Sequence, residues 1–135
     1  MVAAPRGSLE LTVLNAEALA GVRHALANWL KPLVADINVV SDIVAASTEL
    51  CSNALRAADS KAVMRAHTSG DSVLVEVVDD GGGIKGGLPD TPPPPYAESG
   101  RGLFMVRQLV DVLWIRRTPE GGTQAIFARR LGPTQ

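Results

Sequence analysis

The sequence predicts an α+β protein, a two-layer sandwich with helices on one face of a mainly antiparallel sheet. The predicted elements run strand, helix, helix, hairpin, long loop, helix, hairpin, which lacks the strand–helix alternation of a doubly wound fold. Two pairs of strand-like segments are joined by short glycine-bearing turns, the connection that antiparallel neighbours use. The glycine clusters fall outside any βαβ unit, and no G-x-x-x-x-G-K-[ST] phosphate loop occurs.

Each element follows from local pattern. Leu9–Leu14 alternates weakly and reads as a first strand. From Asn15, residues Ala18, Val22, Ala25, Leu26 and Trp29 recur at helical spacing, and Pro32 marks the end. A longer helix is predicted from about Asn38 to Ala58, with Val40, Ile43, Val44, Leu50, Ala54 and Leu55 as its apolar stripe. Ala62–Thr68 and Ser72–Asp79 form a hairpin across Ser69-Gly70-Asp71. Asp80–Gly100 carries six glycines and five of the nine prolines, a loop longer than a compact domain holds without a functional reason. A third helix is expected over Arg101–Asp111, and a closing hairpin over Val112–Arg117 and Thr123–Leu131. Periodicity assigns Trp29 and Trp114 to the core. With no internal repeat, residues 1–135 read as one domain.

Composition narrows the function. The 135 residues are 46% hydrophobic and 20% charged, as in an ordinary globular protein. Thirteen Lys and Arg against fourteen Asp and Glu give a net charge of −1, which argues against nucleic-acid binding. The basic pairs Arg116–Arg117 and Arg129–Arg130 fit a solvated sheet face. Cys51, the single cysteine, sits in an apolar helical run and reads as a small buried hydrophobe. Neither a signal-peptide pattern nor an apolar run of membrane-spanning length occurs, so the expected location is cytoplasmic, without membrane partners.

Four features could carry chemistry. Glu49 and Asn53 are spaced by four on one helix face, with Arg56 nearly on the same side. A carboxylate and a carboxamide so placed suit either an exposed polar face or a Mg²⁺ ligand beside a proton acceptor. Asp79 ends an apolar strand and precedes Asp80-Gly81-Gly82-Gly83. A capped turn would explain it, as would a directed hydrogen bond to a ligand amine with glycines admitting the ligand to the backbone. Ser99-Gly100-Arg101-Gly102-Leu103-Phe104 opens the third helix, where free N–H groups suit phosphate oxygens. Gly121-Gly122-Thr123 by itself reads as a hairpin turn. His24 and His67 read as surface or packing residues.

In order and spacing these features resemble the GHKL ATPase superfamily, in particular the stand-alone serine/threonine kinases that act as bacterial anti-sigma factors. Glu49–Ala58 resembles their N box, Asp79–Ile84 the first glycine box and Gly100–Phe104 the second, over nearly the whole chain. The resemblance implies a Bergerat fold with ATP beneath a lid, here Lys85–Ser99. It implies that Asn53 ligates Mg²⁺ and that Asp79 bonds the adenine amino group, with Gly81 and Gly83 lining the base and Thr123 supporting it. By the same likeness Gly100, Arg101, Gly102 and Leu103 cradle the phosphates, and Glu49 is the general base. The implied partners are an anti-anti-sigma factor of the STAS type, phosphorylated on a serine or threonine, and a sequestered sigma factor, with the protein as a homodimer. Two departures stand out: Ala57 where many relatives have His, and the stiff run Pro92–Pro95 in the lid, which predicts slow closure.

The sequence also fits a second function, an ATP-binding regulator that acts by association without phosphoryl transfer. A sensor histidine kinase fits less well, since neither a dimerisation helix bearing a phosphoacceptor His nor a sensor segment is read from these residues.

Overall fold

The computed structural model describes residues 8–57, 61–79 and 98–132. In chain order these form β1 (Ser8–Val13), a 3₁₀ turn (Ala16–Ala18), α1 (Leu19–Leu30), α2 (Ile37–Ala57), β2 (Ala62–Ser69), β3 (Ser72–Asp79), α3 (Glu98–Leu109), β4 (Val112–Arg117) and β5 (Thr123–Arg130). The five strands make one sheet in the order β1-β2-β3-β5-β4, every neighbouring pair antiparallel. The predicted two-layer α+β architecture is what forms.

Local chemistry sets the boundaries. The Asn15 side chain accepts the Ala18 N–H at 3.1 Å and starts the 3₁₀ turn that leads into α1. Pro32 follows the last turn of α1, where Lys31 N–H still reaches Ala27 O at 3.0 Å. Asp36 then caps α2, its carboxylate accepting the Asn38 N–H at 2.8 Å. The β2–β3 turn places Gly70 at φ +61°, a backbone region that glycine enters without steric cost.

Period-two burial in the sheet and helical burial in the other layer converge on one core. In β3 every second side chain is buried (Val73, Val75, Val77 and Asp79). Met64 of β2 and Phe127 of β5 share that face, and Leu26, Leu30, Ile43, Leu50 and Val106 cover it from the helices. Cys51 is buried here, as its apolar neighbours predict, and burial pushes its thiol pKa up to about 12. It stays protonated and plays no part as a nucleophile at neutral pH.

Three expectations are corrected. Helix α3 begins at Glu98 and ends at Leu109, so the Gly100–Gly102 segment lies within the helix rather than at its threshold. Trp114 is 51% exposed: Leu113 and Ile115 take the inward positions of β4, and the indole faces outward. Arg129 does not belong to a solvated face, because its guanidinium reaches back to α2 and bonds Asp42 at 3.0 Å. Among the described residues no helix is long and apolar enough to cross a membrane.

Candidate functional site

Helix α2 presents its polar face where its C-terminal half meets α3. Glu49 and Asn53 lie one turn apart on that face, as their spacing requires, while Leu50 and Ala54 turn into the core at 2% and 6% exposure. Arg56 folds back over both. One of its terminal nitrogens, Nη2, donates to Asn53 Oδ1 at 2.6 Å and lies 3.6 Å from Glu49 Oε1. The carbonyl oxygen of Asn53 is thereby occupied. Its Nδ2 is buried and has no partner among the described residues.

Strand ends supply the opposite wall. Asp79, last in β3, stands directly across from Thr123, first in β5. Both continue the inward alternation of their strands and are buried, at 7% and 3%. Opposed residues on one face bring their side chains within contact distance. The Thr123 hydroxyl is buried and meets no partner among the described residues. Asn53, Asp79 and Thr123 line one pocket, whose apolar walls are Leu50 and Ala54 from α2, Val77 from β3 and Ala125 from β5. A buried carboxylate and a buried hydroxyl beside apolar walls can accept and donate hydrogen bonds to a polar group carried on an apolar ring.

The third element is α3. Gly102 is buried and faces Glu49 so closely that a Cβ at this position would lie 2.8 Å from Glu49 Cδ and overlap Oε1. Glycine here leaves the Glu49 carboxylate its seat against α3, and a methyl group would displace that flexible side chain rather than the helix. Leu103 points into the core at 3% exposure beside Val106, and its N–H lies beyond the free first turn of a helix that begins at Glu98, so it serves packing. Gly100 and Arg101 lie in the first turns of α3, and the Arg101 side chain is outside the described residues. Also outside them are Gly81, Gly83 and the expected lid, up to the backbone of its last two positions, which begins α3.

Of the residues picked from the sequence, the structure therefore brings Asn53, Asp79 and Thr123 to one pocket and sets Glu49 against Gly102 next to it. Sequence reasoning named Leu50 and Ala54 as inward apolar positions but missed Val77 and Ala125. Val77 and Ala125 were findable, since each lies two positions from an inward polar residue on the same strand. It also placed Arg56 on the right side without finding its bridge.

The chain belongs to the histidine kinase-like ATPase family, whose model matches residues 12–127. Among solved structures it is similar to the RsbU and RsbW domains of Rv1364c from Mycobacterium tuberculosis, with a TM-score of 0.72 and 28% identity. That match covers 98% of this chain and 35% of the other, so the chain spans about a third of the length of that relative. The SiaB–SiaC complex from Pseudomonas aeruginosa shares the fold at a TM-score of 0.65 and 13% identity, over 90% of this chain and 88% of that one. A histidine kinase domain from Erythrobacter litoralis matches at a TM-score of 0.54 and 24% identity, over 84% and 61%. No curated protein matches.

Proposed function

We propose that this protein is an ATP-binding anti-sigma factor that phosphorylates a serine or threonine of a STAS-type anti-anti-sigma partner and sequesters a sigma factor as a homodimer. The observation that carries the reading is the placement of Glu49, a partly exposed carboxylate one helical turn from Asn53 and against Gly102 of α3. A base for a partner's hydroxyl has to be reachable from outside while lying next to the phosphate end of the nucleotide. The likeness to a chain containing an RsbW domain and to the SiaB–SiaC complex supports a partner-switching regulator.

The residues fit ATP and Mg²⁺. Asp79 would accept a hydrogen bond from the adenine amino group, and the orphaned Thr123 hydroxyl would gain a partner at the same edge. Asn53 would give its carbonyl oxygen to Mg²⁺, and no three His, Cys, Asp or Glu side chains gather to hold a metal among the described residues. Mg²⁺ characteristically completes its shell with water and substrate phosphates. When bound it neutralises charge on the transferred phosphoryl group. Gly81 and Gly83 would line the base, and the phosphates would lie at the start of α3, where the N–H of Gly100 is still free of the helical ladder and Gly102 presents no side chain. Glu49 would take the proton of the incoming hydroxyl.

The test is incubation of the wild type and Glu49→Gln with labelled ATP and a STAS-domain protein. The wild type is expected to label the partner and the variant to bind ATP without labelling it, since general-base removal costs on the order of 10²–10⁴-fold. A wild type that binds ATP and the partner but transfers no phosphate would identify a regulator acting by association alone.

A further inference from the structure

The position of Arg56 has a consequence for the metal. Its Nη2 hydrogen-bonds the one oxygen of Asn53 that could ligate a cation and lies 3.6 Å from the Glu49 carboxylate. With the carboxamide turned this way, Nδ2 of Asn53 is left buried and without a partner among the described residues. Turning the amide over would set its NH₂ against the guanidinium donor, so the bond from Arg56 fixes which atom of Asn53 faces the cation. A single positive group thus engages both the implied metal ligand and the implied base.

We infer that Arg56 is a positioning residue that acts as an internal cation in the nucleotide-free protein, occupying the acceptors that Mg²⁺ and the partner's hydroxyl require and yielding them when Mg²⁺–nucleotide binds. The role rests on the nucleotide-binding reading and deepens it. Arg56 is close to half exposed, at 46%, and Glu49 is 25% exposed. An ion pair this open to water is weak and readily displaced. That suits a hold which must be surrendered at each cycle. It also explains why the ion pair does not disable the site: the bridge keeps Glu49 and Asn53 aligned until the metal arrives, then leaves them to it.

The test uses ADP, so that no turnover is involved. Affinity is measured by calorimetry with Mg²⁺ and with chelator, and the ratio of the two gives the metal's contribution. In Arg56→Gln that ratio is expected to rise about two- to fivefold above the wild type, because Mg²⁺ no longer displaces a resident cation. Arg56→Lys separates the bridge from simple charge. Its ammonium is compact and its stem shorter, so it keeps the positive field without reaching both acceptors. The bridge predicts that Arg56→Lys moves in the same direction as Arg56→Gln. An unchanged ratio in Arg56→Gln overturns the inference, and so does a Lys variant that matches the wild type. The exposed position of Arg56 lets both variants fold, which thermal melts verify. A wild type that binds no ADP at all would instead sink the nucleotide-binding reading, and this role with it.

Discussion

The carboxylate of Glu49 lies against the bare α-carbon of Gly102, with room for no side chain between them. Two helices are thereby held in register at the point where the implied base meets the implied phosphate site. What a methyl group at position 102 would strike is the far end of a flexible, partly exposed side chain, which can swing aside at little cost. Alanine is also about 1 kcal/mol better than glycine inside a helix. Gly102→Ala is therefore expected to leave the melting temperature unchanged or raise it by a few degrees, while cutting phosphoryl transfer at least ~10-fold through a displaced Glu49. Melting curves alongside a transfer assay check this. Wild-type transfer from the variant would mean that the seat of Glu49 is immaterial.

Asp79 is buried at the end of β3, and its carboxylate lines the pocket. A hydrogen bond to a charged group contributes about 1.5–3 kcal/mol, which corresponds to roughly ten- to a hundredfold in affinity. Calorimetry on Asp79→Ala should show a loss of that size for ATP. Retained affinity would remove Asp79 from the nucleotide site.

Thr123 separates function from stability more cleanly. Its buried hydroxyl has no partner among the described residues, an arrangement that costs about 1–3 kcal/mol. Thr123→Val keeps the shape and removes the orphan. The nucleotide-free variant is expected to be more stable by about 1 kcal/mol, yet to bind ATP more weakly. Chemical denaturation and a binding titration on the same sample check both halves. A destabilised variant would show that the hydroxyl is already satisfied.

Much of this site was legible because each residue sits at a fixed offset on an element whose facing side follows from periodicity. Glu49 and Asn53 are set by the helical repeat, and Asp79 by the apolar alternation that runs from Val73. Three features were not legible. Glycines 100 and 102 lower helix propensity by about 1 kcal/mol each, which masks a helix beginning at Glu98, and packing of Leu103 and Val106 overrides that cost. In Val112-Leu113-Trp114-Ile115 four apolar residues run together, so the sequence does not show which parity faces the core. Arg129 finds Asp42 across 87 positions of chain, a pairing for which no local signal exists.

That pairing yields a further expectation. Arg129 and Asp42 are 23% and 32% exposed, and the guanidinium also lies 4.0 Å from Asp111. It ties α2 to the sheet and to the start of β4. Asp42→Asn should cost on the order of 1 kcal/mol, with a penalty that shrinks as salt rises. Urea melts at low and high ionic strength would reveal the difference, and a salt-independent penalty would point to lost packing instead.

Cys51 links the core to pH. Burial raises its folded pKa from 9.0 to about 12. Between those values the unfolded chain loses the thiol proton and the folded chain keeps it, so the unfolded state binds fewer protons. Stability must then fall as pH rises, by at most about 1.4 kcal/mol per pH unit from this group, beginning near pH 9 and levelling off near 12. Below about pH 8 Cys51 contributes almost no slope. Cys51→Ala removes the titration, so its stability curve from pH 8 to 10.5 should be flatter than that of the wild type, whatever the variant loses in packing at neutral pH. The same burial predicts that a thiol reagent labels the native protein only as fast as it opens. Equal slopes in the two proteins, or prompt labelling at pH 8, would place the thiol in contact with water.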